Sequence, residues 1–228
     1  MISVKGGRDN LPVYALVRCL LFAAGVAAGQ PAIGQQHDAA NGLFLVAKPG
    51  LLDPNFRQTV VLVTQAPDFS TVGVIINRPT TLKLQQFLPD EFATGQYHDA
   101  IFFGGPVMRQ AIVALFRADE APAAPAFHVL KDLYLSLHPD NLRWLLAGGG
   151  ATRYRLYAGF SGWAPRQLES EFQREGWYVL PADVETIFRR STEGLWQELV
   201  QRAEKRPVRS DAPVPGNAKR KAPPEAGL

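Results

Sequence analysis

A single cysteine, Cys19, stands among the 228 residues. One thiol excludes a disulfide framework and any multi-cysteine zinc site. Histidine is almost as scarce. His37, His98, His128 and His138 lie far apart, with no H-E-x-x-H or H-x-H spacing, so no metal site is expected. Long apolar runs are missing as well: Cys19–Gly29 holds about eleven apolar or small residues, where roughly twenty are needed to cross a bilayer as a helix. Glycine (20) and proline (18) fall short of a collagen-like or low-complexity chain, and 46% hydrophobic with 20% charged residues excludes a mostly disordered one.

Positive charge is scarce where nucleic-acid binding would need it. The chain carries 24 basic and 21 acidic residues, but residues 202–228 hold 7 of the basic ones against 3 acidic. Residues 1–39 hold 3 against 2, which leaves 14 basic and 16 acidic residues over 40–201. A body without excess positive charge lacks the electrostatic footprint for a phosphate backbone, and nucleic acid is not expected as a partner.

The two ends read as an address and a tail. Lys5, Arg8 and Arg18 precede the run Cys19–Gly29, which has the length of a signal-peptide apolar region. Small residues follow at A27-A-G29 and A32-I-G34, suitable for cleavage to a mature start at Gln30 or Gln35. Residues 1–34 are therefore expected to be a signal peptide, which sends the chain to the periplasm and leaves no transmembrane segment in its mature form. The alternative is a cytoplasmic chain with an unstructured extension. Residues 204–228 are basic, rich in proline and without apolar periodicity, so a disordered tail is expected there. The folded domain is expected to span 41–203.

Within that span short strands alternate irregularly with helices. G42-L-F-L-V-A47 predicts a strand stopped by Pro49. Gln58–Thr64, with Val60, Val61, Leu62 and Val63 in succession, predicts one buried on both faces. L52-D-P-N-F56 between them is turn chemistry. Further strands are predicted at Val72–Ile76, Ile101–Phe103, Ala111–Phe116, Leu133–Leu137, Arg153–Tyr157 and Trp177–Leu180. Leu82, Leu84, Phe87 and Leu88 predict a short helix. Pro139 suits the first position of another, with Leu142, Leu145 and Leu146 as its apolar stripe and Gly148 at its end. Pro165 likewise predicts a helix start, running through about Glu175. Helices near Asp183–Phe188 and Glu193–Ala203 close the domain. No regular βαβ period is present, which argues for one α+β domain.

Few motifs carry chemistry. Gly148–Gly150 follows a helix and leads into a strand, the reverse of a phosphate cradle, so it reads as a helix cap and no cofactor is expected. G159-F-S-G-W163 sets Ser161 between glycines at an expected strand-to-helix turn, but Trp163 stands where a nucleophile elbow needs glycine, and no catalytic residue is assigned. Three corners remain, each after an apolar strand: N77-R-P79, G104-G-P106 and the segment Gly159–Phe172. Strand ends are where open sheets bind ligands. The candidate binding residues are thus Asn77, Arg78, Pro79, Gly104, Gly105, Pro106, Gly159, Ser161, Trp163, Gln167 and Glu171.

In order along the chain, G42-L-F-L-V-A-K-P49, L52-D-P-N-F56, V72-G-V-I-I-N-R-P79, F103-G-G-P-V107, L133-Y-L-S136, Y157-A-G-F-S-G-W-A-P-R-Q-L-E-S-E-F172 and G176-W-Y-V-L-P-A-D183 resemble the YqgE/AlgH family. G-W-A-P-R-Q-L-E is the most specific of these. The resemblance implies a bacterial α+β domain whose mixed, largely antiparallel sheet folds into a pseudo-barrel with flanking helices. It implies no established enzymatic activity and a proposed regulatory role. Thr64, Gln65 and Phe116 depart from the family's usual polar residues, and the N-terminal extension departs from its usual cytosolic start.

Two functions follow from the residues. The first is a non-enzymatic regulatory or binding protein that holds a small ligand or a protein partner at the corners. The alternative is a hydrolase or transferase acting on a small anionic substrate in a cleft lined by Asn77, Arg78, Gln167 and Glu171, with Glu171 as base and Arg78 holding the anion. The missing catalytic constellation favours the first.

Overall fold

The computed structural model describes residues 42–88, 97–173 and 176–205. The expected signal peptide, and the tail from residue 206 onward, lie outside the described residues.

Nine strands form one continuous network: β1 Leu43–Ala47, β2 Val60–Gln65, β3 Thr71–Ile75, β4 Phe102–Phe103, β5 Val107–Arg117, β6 Phe127–Leu130, β7 Leu133–Ser136, β8 Arg153–Trp163 and β9 Trp177–Pro181. Their order is β6-β7-β5-β8-β3-β2-β1-β9, with β4 lying off this path as a partner of β8. The β4–β8 pairing is parallel and the others are antiparallel. This is the mixed, largely antiparallel sheet with flanking helices that was expected. It remains open: the ladder runs from β6 to β9 without closing into a barrel. Gly42 N–H donates to the Val129 carbonyl at 2.8 Å, which fastens the start of β1 to β6 across the curl.

Period-two alternation explains the layers. Along β1 and β2, Phe44, Val46, Val60 and Leu62 enter a central core with Val113, Leu115 and Tyr157 of β5 and β8. Leu45, Ala47, Val61 and Val63 point the other way, into an outer core with Trp163, Leu168 and Trp177. The V60-V-L-V63 run is therefore buried on both faces, as its sequence predicts. A third core lies between the other face of β5 and β8 and helix α1, Pro139–Leu146. His138 caps α1 by accepting from Asp140 N–H, and Pro139 takes the first turn, where no N–H partner is needed. Gly148 and Gly149 N–H groups bond back to Leu145 and Trp144 carbonyls and so end the helix.

Four departures from sequence expectation bear on the site. β8 does not stop at Tyr157 but continues to Trp163, so Ser161 lies inside a strand rather than on a strand-to-helix turn. The helix predicted from Pro165 begins at Gln167 instead, as α2, Gln167–Gln173, because Arg166 adopts a left-handed φ of 66° that no helical residue can hold. β6 was not anticipated, since Phe127–Leu130 is too short for its pattern to register. The segment predicted as a short helix near Leu84 makes only a 3-10 turn, Leu84–Gln86. Helices α3, Val184–Ile187, and α4, Leu195–Glu204, are the last elements among the described residues, and Leu195 and Leu199 of α4 enter the central core.

Candidate functional site

The three corners converge. Residues 153–158 of β8 pair with β5, and residues 161–163 pair with β3. The β5 ladder is interrupted at Gly159, whose φ of 71° opens the corner, and Phe160 pairs once more with Val107 of β5 before the β3 pairing begins at Ser161. A Cβ there would stand 2.7 Å from the Gly105 carbonyl oxygen and 2.8 Å from that of Val107. Gly104 N–H donates to Ala158 C=O at 2.9 Å, and the Gly104 carbonyl accepts from Ile75 N–H at 2.9 Å and from the buried Ser161 hydroxyl at 3.2 Å. The Arg78 carbonyl accepts from Phe103 N–H at 2.8 Å, and Pro79 bridges to Phe102. Gly105–Pro106 then turns the chain into β5.

From this junction Asn77 and Arg78 reach into the 51–58 loop. Asn77 accepts from Val60 N–H at 2.8 Å and donates to the Gln58 carbonyl at 3.0 Å. Arg78 donates to the Asn55 carbonyl at 2.7 Å and to that of Arg57 at 2.8 Å. Four bonds to main-chain groups thus hold a loop in which Gln58 sits at φ 56°. Burial, then the neighbouring Arg57 charge, hold the Arg78 guanidinium below its ordinary value, while Asp53 pulls the other way.

Glu171 is likewise committed. Its carboxylate accepts from the Trp163 indole at 3.2 Å and the Trp177 indole at 3.1 Å. Phe56 packs against both rings, stacked on Trp163 at 5.8 Å and edge-on to Trp177 at 5.5 Å. Gln167 accepts from Ala164 N–H at 3.1 Å at the start of α2.

A cleft of about 900 Å³ opens beside the junction. Of the residues singled out from sequence, Asn77 and Pro79 line it; Arg78, Gln167 and Glu171 do not. Arg153, Tyr154 and Arg155 at the start of β8 line it, together with Asp99, Phe102, Phe188 and Arg190–Glu193. Arg155 donates to the Ile187 carbonyl at 2.6 Å and the Arg189 carbonyl at 3.0 Å. Its guanidinium lies 4.3 Å from the centroid of the Phe102 ring. Arg153 donates through one nitrogen to the Phe188 carbonyl at 2.8 Å and lies over the Phe188 ring. Burial pushes the Tyr157 phenol up to about 12, and the Arg155 charge opposes the rise. Tyr154 is raised as well, by burial and by the Asp99 charge.

Residues 44–208 match a family model described as AlgH-like. The chain belongs to the AlgH-like family. An uncharacterised-family (UPF0301) protein of Thermobifida fusca is 34% identical over 169 residues, covering 71% of this chain and 85% of that one. One from Paraburkholderia phymatum is 33% identical over 150 residues, covering 64% and 78%. The solution structure of the AlgH protein from Pseudomonas aeruginosa superposes with a TM-score of 0.60 at 27% identity, covering 78% of this chain and 92% of that one. A crystal structure of a Corynebacterium diphtheriae protein shares the fold at a TM-score of 0.56 and 22% identity, covering 81% and 92%.

In this AlgH-like chain the arginines of the cleft escaped sequence reasoning. Their signal was present: R153-Y-R155 puts two guanidiniums on one face of a strand whose following residues are buried, and R189-R190 follows a short helix. Among the described residues, no group of three or more His, Cys, Asp or Glu is placed to hold a metal, and no helix is long and apolar enough to cross a membrane.

Proposed function

We propose that this AlgH-like protein is a non-catalytic binding module with a regulatory role, and that the cleft between β8 and residues 188–193 holds its ligand. One observation carries the reading. The reactive-looking groups of the corners, Asn77, Arg78, Ser161, Gln167 and Glu171, each make hydrogen bonds within the chain, and the last four do not line the cleft. An enzyme needs its acid, base or nucleophile to face the space its substrate enters. Apart from Asn77 the committed side chains lie off the open space. The carboxylates that do line it, Asp99 and Glu193, bond to no hydroxyl nucleophile among the described residues, which favours holding a molecule over transforming it. The candidate corner residues serve this module as the frame that fixes the cleft's edge at Asn77 and Pro79.

The test is ligand-observed NMR of the full chain against a fixed set of carboxylates, phosphates, neutral sugars and amines, with product analysis of the same tubes. Saturable binders that displace one another and emerge unchanged support the module. A compound consumed with turnover, or no binder in any class, contradicts it. Action in the periplasm is part of the proposal and rests on the N-terminal sequence. Intact mass after cell fractionation should give a periplasmic chain beginning at Gln30 or Gln35; an uncleaved chain in the cytoplasm contradicts export.

A further inference from the structure

We infer that the cleft takes a small carboxylate or phosphate, gripped by Arg190 and Arg153; the inference rests on the reading of this cleft as a ligand site. Three guanidiniums, Arg153, Arg155 and Arg190, line it against two carboxylates, Asp99 and Glu193. No salt bridge among the described residues joins any of these five. Elsewhere among the described residues four arginines are ion-paired, Arg117 with Asp132, Arg143 with Asp140, Arg189 with Glu198 and Arg202 with Asp183, whereas Arg57, Arg78, Arg109 and Arg166 outside the cleft form no ion pair. The cleft therefore carries an excess of one positive charge, with none of its three guanidiniums held in an ion pair, inside walls that exclude part of the solvent.

The three arginines are not equivalent. Arg155 is built in, with two nitrogens on the Ile187 and Arg189 carbonyls and its plane against Phe102. Arg153 uses one nitrogen on the Phe188 carbonyl and keeps the rest of its fork for another acceptor. Arg190 is exposed at the rim and makes no bond to any described residue. A planar fork with free donors matches the paired oxygens of a carboxylate or phosphate. Because two nitrogens of Arg155 hold carbonyls of the 187–189 turn, the rim that carries Arg190 is fixed relative to Arg153 before any ligand arrives.

The experiment is calorimetric titration of the full chain with inorganic pyrophosphate, citrate, glucose and spermidine, in wild type and in R190Q and R190K. Arg190 is exposed and unbonded, so R190Q should melt like wild type. Pyrophosphate or citrate should bind saturably, the stronger of the two naming the oxyanion class, and R190Q should weaken that binding about tenfold or more. R190K should recover part of the loss, because the charge returns without the fork. Equal anion binding by wild type and R190Q overturns the inference, since Arg190 would then not grip the anion. Glucose or spermidine binding with no anion binding overturns the anionic class but leaves the ligand-site reading standing. No heat from any probe overturns the inference, and the ligand-site reading then falls or stands by its own NMR screen.

Discussion

Arg155 and Phe102 meet at 4.3 Å, guanidinium against ring face, and this contact joins the start of β8 to the short parallel strand β4. The same guanidinium ties down the Ile187 and Arg189 carbonyls. One side chain thus sets the spacing between two walls of the cleft. R155M keeps much of the stem's apolar contact but strands both carbonyls. Hydrogen bonds to a charged group contribute about 1.5 to 3 kcal/mol, so R155M should lose about 2 kcal/mol in urea denaturation. A loss near zero would mean the turn holds itself.

Gln58 sits at φ 56°, a region that is costly for a residue with a Cβ. The two Asn77 bonds that bracket it hold that conformation. Q58G should therefore keep or raise stability, by about 0.5 to 1 kcal/mol, although glycine usually lowers it. N77A should lower it by about 1 to 3 kcal/mol, because Val60 N–H and the Gln58 carbonyl lose their partners. In thermal melts N77A should fall below wild type while Q58G stays level with it or rises.

Glu171 anchors two indoles at once. E171Q retains an acceptor oxygen and should leave tryptophan emission close to wild type. E171A leaves the indole N–H groups of two nearly buried rings without their acceptor, and about 1 to 3 kcal/mol of stability should go with it. Its emission should shift to the red as solvent reaches Trp163 and Trp177. If E171A and E171Q give the same spectrum, the carboxylate does not position the rings.

Asp132 contributes to the pH dependence on the acid side, as does Asp68, whose carboxyl is lowered by its bonds from Ser70. Hydrogen bonds from Arg117 hold the Asp132 carboxyl below the ordinary value of 3.8. A folded pKa below the unfolded one adds stability above the unfolded value, and that stability fades as pH falls through the folded pKa. Denaturation midpoints should therefore be flat from pH 7 to about 5 and fall below about 4. D132N should be less stable than wild type at pH 7, and the gap should close in acid. A gap that persists at pH 2.5 would assign the effect to packing.

Much of the fold could be read from residue patterns because local physics and tertiary packing agreed there. The V60-V-L-V63 run announced a strand with two buried faces, and Pro139 with Gly148 bounded α1. The reading failed where long-range contacts decide. β8 continues past Tyr157 because Gly159 lets the strand turn and pair with β3, which no local pattern encodes. Pro165 looked like a helix start, but Arg166 turns left-handed and delays it. The convergence of N77-R-P79, G104-G-P106 and Gly159 was legible as three similar corners, though not as a junction. What those side chains touch was not legible at all. Asn77 and Arg78 looked available to a ligand, yet their partners lie 17 to 23 residues away in the loop before β2 and at its first residue, Val60. The cleft arginines were passed over because charged residues at strand ends ordinarily read as solvated.

The central claim is that the cleft holds an anionic ligand at Arg153 and Arg190. It is tested most directly by backbone amide NMR of the full chain during titration with inorganic pyrophosphate. Saturable shifts concentrated at residues 153–155 and 188–193, and lost in R190Q, are the expected result. Shifts confined to residues after 205, or identical in R190Q, would contradict the claim.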